Sequence, residues 1–138
     1  MPDPQQSRRA LGDIATAKYV QLTTFTKDGR AKPVPIWAAF VDSGPEAGEL
    51  VMWTQASSWK VKRVRNTPRV QLATCDRAGK NVGTPVEGTA RVLDDAGTAR
   101  TRQAINAKYG LVGRLATTAS SLFKGKSSTI GIAAAPKL

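Results

Sequence analysis

The chain contains no histidine, and only one cysteine, Cys75, among 138 residues. Without histidine there is no Ser-His-Asp arrangement, no imidazole general base, and none of the commonest ligand for zinc or iron. One cysteine excludes an internal disulfide and any cysteine-based zinc site. No stretch approaches the ~20 apolar residues of a membrane span, and the N-terminus lacks an apolar signal core, so the expected location is the cytoplasm. Neither a GxGxxG nor a GxxxxGK[ST] phosphate loop occurs. Acids are scarce as well: 10 Asp and Glu face 21 Lys and Arg, a net charge of +11, with no acid between Glu49 and Asp76 and none after Asp95. Such a surplus implies an anionic partner, unless the surface is merely basic. An enzyme so poor in catalytic side chains is expected to take its reactive chemistry from a bound cofactor.

What is present reads as one small domain over residues 1–138, rich in strands. Residues 1–6 are polar and Pro-bearing, and a loose terminus is expected there. Residues 7–17 fit a short helix with Leu11, Ile14 and Ala15 on one face. From Tyr19 to Thr26 the apolar period becomes that of a strand. Lys27-Asp28-Gly29-Arg30 is a hairpin turn, because glycine supplies a positive φ beside aspartate. A returning strand is expected from Ala31 to Val41. Pro33 and Pro35 strip donors from one of its backbone edges, which predicts a bulge, an edge or a ligand-facing stretch near Val34. Further strands are expected over 49–54, from Pro68 to Cys75, over 86–93 and over 128–134. A short helix capped by Ser57 or Ser58 should end near Asn66, with Val61 and Val64 inward. A longer helix capped by Asp94 or Asp95 should stop at Gly110. Residues 111–127 read as a second helical piece. This order of elements is mainly β with peripheral helices, and points to a small barrel more than to a doubly wound sheet.

The segment 54–70, TQASSWKVKRVRNTPRV, is the most informative about function. Two serines stand at a helix start, and Lys60, Lys62, Arg63, Arg65 and Arg69 follow. Free N–H groups of a first turn, serine hydroxyls and nearby cations together suit a phosphate or carboxylate. At helical spacing Lys60 pairs with Arg63 and Lys62 with Arg65, so only one pair can crowd a single ligand. The bland alternative is a solvated charged face. A second candidate is Val34-Pro35-Ile36-Trp37, an apolar, donor-poor stretch against which a flat aromatic ligand could lie; its alternative is an ordinary barrel strand with Trp37 in the core. Asp76 and Glu87 have no partner in any acid–base pattern. Thr16, Ser58 and Cys75 lack the neighbouring base a nucleophile needs.

Over most of residues 17–93 these segments resemble the flavin/deazaflavin oxidoreductases of the split β-barrel superfamily, which contains pyridoxine-5′-phosphate oxidase. The specific likeness is to small actinobacterial enzymes that use the deazaflavin coenzyme F420. YVQLTTFTKDGRAKPVPIWAAF is similar to the family's opening hairpin and GELVMWT to its third strand. KVKRVRNTPRVQLATCD is similar to the cofactor-phosphate helix and the strand after it, and VEGTARVL to the next strand. The resemblance implies an FMN-binding-like split β-barrel. It also implies that Ser58 and Lys60 bind a cofactor phosphate, with Thr54 beside it, while Ser57, Lys62 and Arg63 complete the anion cradle read from the residues themselves. Val34, Pro35, Ile36 and Trp37 would form the strand against which a tricyclic ring packs. Trp59 stands where FMN-using relatives often carry arginine, which favours F420 over the alternative, FMN. A homodimer with cofactor grooves along its interface is implied, and residues 111–127 are candidates to cover the partner's groove.

F420 also carries a phosphodiester and an oligoglutamate tail, for which Lys62, Arg63 and Arg65, or the basic C-terminal third, are candidates. The expected reaction is hydride transfer from the reduced cofactor to an electron-poor small molecule, with positioning and charge stabilisation as the protein's part and no catalytic side chain. A non-catalytic F420 carrier and an FMN-binding oxidoreductase of the same fold are the alternatives. A basic nucleic-acid-binding barrel is a remote one, since the cations are not interleaved with stacking aromatics.

Overall fold

A computed structural model describes the backbone of residues 3–124 and 129–138 and the side chains of 3–110 and 129–138. Helix α1 (Pro4–Leu11) and a 3-10 helix (Gly12–Thr16) lead into β1 (Val20–Phe25), β2 (Ala31–Ile36), β3 (Ala38–Phe40) and β4 (Leu50–Gln55). Helix α2 (Trp59–Asn66), β5 (Arg69–Thr74), β6 (Val86–Val92), α3 (Asp95–Lys124) and β7 (Thr129–Pro136) complete the order. The seven strands form one antiparallel sheet in the order β2-β1-β5-β6-β7-β4-β3. β2 and β3 stand at opposite ends of that order, yet Trp37 alone separates them in sequence. The two Cα–Cα steps from Ile36 to Ala38 span at most about 7 Å, so the sheet has to curl until its two edges approach. That closure makes the fold a split β-barrel, mainly β as the sequence predicts.

Two sequence expectations need correction. The returning strand over 31–41 is not continuous: it breaks at Trp37 and its halves join opposite edges. The N-terminus is not loose from residue 3 onward, because Asp3 caps α1 by accepting from the Gln5 N–H at 3.0 Å and Pro4 opens the helix. Proline costs nothing there, since the first helical N–H has no intrahelical partner. Other expectations match closely. Gly29 takes φ 87 in the β1–β2 turn, and Asp94 caps α3 through the Gly97 N–H at 2.8 Å. Gly110, at φ 63 and ψ −140, breaks α3 where the stop was expected. The piece expected over 111–127 is helical to Lys124, and 125–127 lie outside the described residues, as does Ser128 of the expected closing strand.

Strand alternation divides the core in two. Leu50, Met52, Ile132 and Ala134 point into the barrel with Val20, Leu22, Val61, Val64, Val70 and Leu72. Val51 and Ala133, one residue out of phase, point outward against Leu93, Ile105, Trp37 and Tyr109 beneath α3. A bidentate pair between Arg100 and the buried Glu46, at 2.8 and 2.9 Å, ties α3 to the loop before β4.

Across β5 and β6, Glu87 accepts from Arg69 at 2.7 and 3.2 Å and from Gln71 at 2.9 Å. The Arg69 guanidinium, and then the Gln71 amide, hold its carboxyl down from 4.5 to about 2. A depressed folded-state value stabilises above the unfolded one and is lost as pH falls through the folded one. The urea midpoint of Glu87→Gln should therefore lie below that of the parent at neutral pH, and the gap should close between 4.5 and about 2. A gap that stays constant down to the lower limit would refute this assignment.

Candidate functional site

β4 ends at Gln55, and the Ser58 N–H donates to the Gln55 carbonyl at 3.1 Å, which turns the chain into α2. Val61 and Val64 bury one face of that helix, fixing its roll on the barrel. Ser58 occupies the N-cap position with extended backbone, but its hydroxyl makes no capping bond. The Ser58 Oγ is buried without any hydrogen-bond partner. An unsatisfied buried polar atom of this kind costs on the order of 1–3 kcal/mol. Lys60, two residues on, is half-buried; desolvation, and then the nearby Arg63 charge, push its ammonium below the ordinary lysine range. Arg63 is tied to the sheet through a 3.4 Å bond to the Thr24 hydroxyl. The start of α2 thus holds an orphaned hydroxyl and first-turn N–H groups, and the Lys60 and Arg63 charges crowd each other on the same helix, costs that a bound anion would relieve.

On the open side of α2, Trp59 is 67% exposed and the Lys62 ammonium lies 4.5 Å from its ring centre. Trp59, Lys62 and Arg63 line an open groove of about 460 Å³ together with Lys27, Arg30 and Lys32 of the β1–β2 hairpin. These hairpin cations were missed in the sequence, where TKDGRAK reads simply as a turn. Its one acid, Asp28, pairs with Arg30 at 3.2 Å, both well exposed. Arg65 is exposed and does not line the groove.

The remaining sequence candidates are placed less uniformly. Thr54, half-buried on β4, is paired with Ile130 of β7, and Ser57 is exposed in the turn before α2. Val34 and Ile36 turn their side chains toward the barrel core, whereas Pro33 and Pro35 are exposed. β2 therefore does not present one flat apolar face. It offers the Pro35 ring and an unpaired, donor-poor backbone edge. Trp37 belongs to the outer core, stacked on Tyr109 with ring centres 4.3 Å apart and planes 7° from parallel. Lys108 and Tyr109 had no signal in the sequence beyond their place at a helix end. Asp76 spends its carboxylate on the turn after β5, accepting from the Ala78 and Lys80 N–H groups and the Asn81 amide. Neither it nor Glu87 is poised as an acid or base. Among the described residues no cluster of ligands for a metal ion occurs, and no helix is long and apolar enough to cross a membrane.

A family model described as pyridoxamine 5′-phosphate oxidase matches residues 8–127. Among solved structures, a conserved hypothetical protein from Mycobacterium tuberculosis is similar at 19% identity, over 96% of this chain and 79% of its own, with a TM-score of 0.64. An F420 reductase is similar at 18% identity over 91% of this chain and 92% of its own, TM-score 0.58. The heme storage protein HutZ from Vibrio cholerae is similar at 11% identity over 100% and 92%, TM-score 0.56. At these identities the likeness is one of fold. No functionally curated protein matches the chain.

Proposed function

The chain belongs to the pyridoxamine 5′-phosphate oxidase family, and from that premise we propose that it is an F420-dependent oxidoreductase acting on an electron-poor small molecule. The observation that carries this reading is the buried, unpartnered Ser58 hydroxyl at the N-terminus of α2, two residues before the half-buried Lys60. Those groups fit a phosphate. Ser58 would donate its hydroxyl proton to a phosphate oxygen, the first-turn N–H groups of α2 would donate alongside, and Lys60 would supply the charge-assisted bond. Arg63, anchored on Thr24, would hold a second anionic oxygen. The ring would lie toward β2 and Trp37, where the donor-poor edge and the Pro35 ring present little polarity. When bound, the reduced deazaflavin supplies the hydride. The chain's own residues would position the ring, exclude water and stabilise charge. Two copies of the chain, with one cofactor groove per subunit at the interface, complete the proposal.

F420 is favoured over FMN because Trp59 leaves the phosphate site without the arginine that the resemblance associates with FMN. The rim also carries five cations from α2 and the hairpin, which suits a ligand with several negative charges better than one with a single phosphate. Titration of the purified protein with F420 and with FMN, followed by fluorescence, tests the choice. F420 should bind more tightly, and Ser58→Ala should weaken it roughly tenfold, the worth of one charge-assisted hydrogen bond. Equal or tighter FMN binding would overturn the cofactor assignment. Tight F420 binding without oxidation of the reduced form by any electron-poor acceptor would make the protein a carrier instead.

A further inference from the structure

The chain passes from one sheet edge to the other at Trp37, and a strand break of this kind leaves backbone groups that the ladder no longer serves. Two consecutive residues of α3 serve them. The Lys108 ammonium donates to the carbonyls of Ala17 and Ala38, each at 2.6 Å. The Tyr109 hydroxyl lies 2.7 Å from the Lys18 carbonyl and 3.2 Å from both the N–H and the carbonyl of Ala38. A hydroxyl has one proton to give. It goes to the shorter contact at Lys18, leaving the oxygen to accept from the Ala38 N–H. The Tyr109 ring meanwhile lies flat against Trp37 at 4.3 Å.

We propose that Lys108 and Tyr109 are positioning residues for the cofactor ring: they fix the rotamer of Trp37 and the backbone at 36–38, and so set how the ring sits without touching the phosphate. This inference rests on the reading under Proposed function. Backbone satisfaction accounts for the hydrogen bonds, because Ala38 is fully buried and its polar groups need partners. The near-parallel stack does more, since it holds a large planar side chain in one orientation next to Ile36, the last residue of β2. The clamp shares no residue with Ser58, Lys60 or Arg63, and it reaches its partners from 70 to 91 positions away in sequence. Ring placement and phosphate binding therefore rest on separate elements, α3 and α2, and separate substitutions can address them.

The test uses the full chain with Tyr109→Phe, Lys108→Met and Tyr109→Leu. Tyr109→Phe keeps the stack and removes the hydroxyl, Lys108→Met keeps the stem and removes the ammonium, and Tyr109→Leu removes hydroxyl and stack together. Binding of F420 is followed by fluorescence and binding of inorganic phosphate by phosphorus NMR line broadening. Tyr109→Phe and Lys108→Met should each weaken F420 roughly fivefold to tenfold, about one hydrogen bond's worth, and move the bound cofactor's absorbance toward that of the free form. Tyr109→Leu should do more, and phosphate affinity should stay within about twofold throughout, whereas Ser58→Ala should weaken both ligands. The proposal is overturned if F420 and phosphate affinities fall together in step with the melting temperature, or if F420 binding and its bound spectrum do not change. A parent protein that binds phosphate but neither F420 nor FMN would instead sink the cofactor reading, and the inference with it; that failure shows in the parent and not only in the variants.

Discussion

Replacing Lys60 with methionine is expected to weaken a phosphate-bearing cofactor by roughly 10- to 100-fold, the range for losing one charge-assisted contact in a partly dry site, while leaving the melting temperature unchanged or slightly higher. The two halves of that expectation have the same cause. Lys60 is half-buried, has no carboxylate partner among the described residues, and stands beside the like charge of Arg63. In the free protein its ammonium is a cost, so an apolar isostere relieves repulsion and desolvation. In the proposed complex the same ammonium would face an anion in a partly dry site, where Coulomb attraction is less screened than in water. Lys62→Met is the control. Lys62 is exposed and leans on Trp59, so its loss should cost a few-fold at low salt and almost nothing at high salt.

The direction of the Lys60 shift adds a pH signature. Because burial lowers its value, its positive charge is lost earlier in the alkaline range than that of an ordinary lysine. Binding raises the value again, so proton uptake should accompany binding above neutrality and affinity should fall as pH rises. Lys60→Arg keeps the charge over that range and should flatten the alkaline fall. A stable Lys60→Met variant that binds as tightly as the parent would remove the phosphate site from α2.

The proposed site could be read from the sequence because its signals are local. A serine pair, a basic run and two inward valines fall within eight residues of one another, and local chemistry sets a helix start. The hairpin's share of the rim was not legible. Lys27, Arg30 and Lys32 join α2 only because β1 lies beside β5, and pairing order is a property of the whole sheet. The break at Trp37 was hidden for a related reason. Val34, Ile36, Ala38 and Phe40 keep a period of two straight through it, so nothing in the pattern marks where the strand changes edges. Asp3-Pro4 is different: a cap followed by an N1 proline is a readable helix start, and the polar composition around it obscured the signal. Tyr109 and Lys108 show the limit most clearly, since their partners at 17–18 and 38 lie far away in sequence and their role depends on barrel closure.

The closure can itself be tested at two glycines whose substitutions should be among the most destabilising in the chain. A Cβ at Gly88 would stand 2.6 Å from the Ala135 carbonyl oxygen, where β6 pairs with β7. A Cβ at Gly131 would stand 2.7 Å from the Thr101 hydroxyl, 3.1 Å from Leu93 Cδ1 and 3.2 Å from Thr101 Cβ, where α3 packs on β7. Both conflicts are steric, because neither glycine has a positive φ. Gly88→Ala and Gly131→Ala should each cost about 2–3 kcal/mol, the upper part of the range for overpacking. They should differ in how they can be rescued. The obstacle at Gly131 is largely a side chain, so Thr101→Ala should recover part of the loss even though it gives up the Thr101 hydroxyl's bond to the Gly97 carbonyl at 2.9 Å. The resulting double-mutant cycle should show a favourable coupling of about 1 kcal/mol. At Gly88 the obstacle is backbone, which no side-chain truncation removes, so Gly88→Ala paired with Leu72→Val should be additive or worse. Urea unfolding of the two cycles distinguishes these outcomes. Equal rescue at both positions would mean that β6, β7 and α3 relax as a unit, and that the barrel wall is too compliant to hold Trp37 and α2 in the fixed relation that a cofactor spanning them requires.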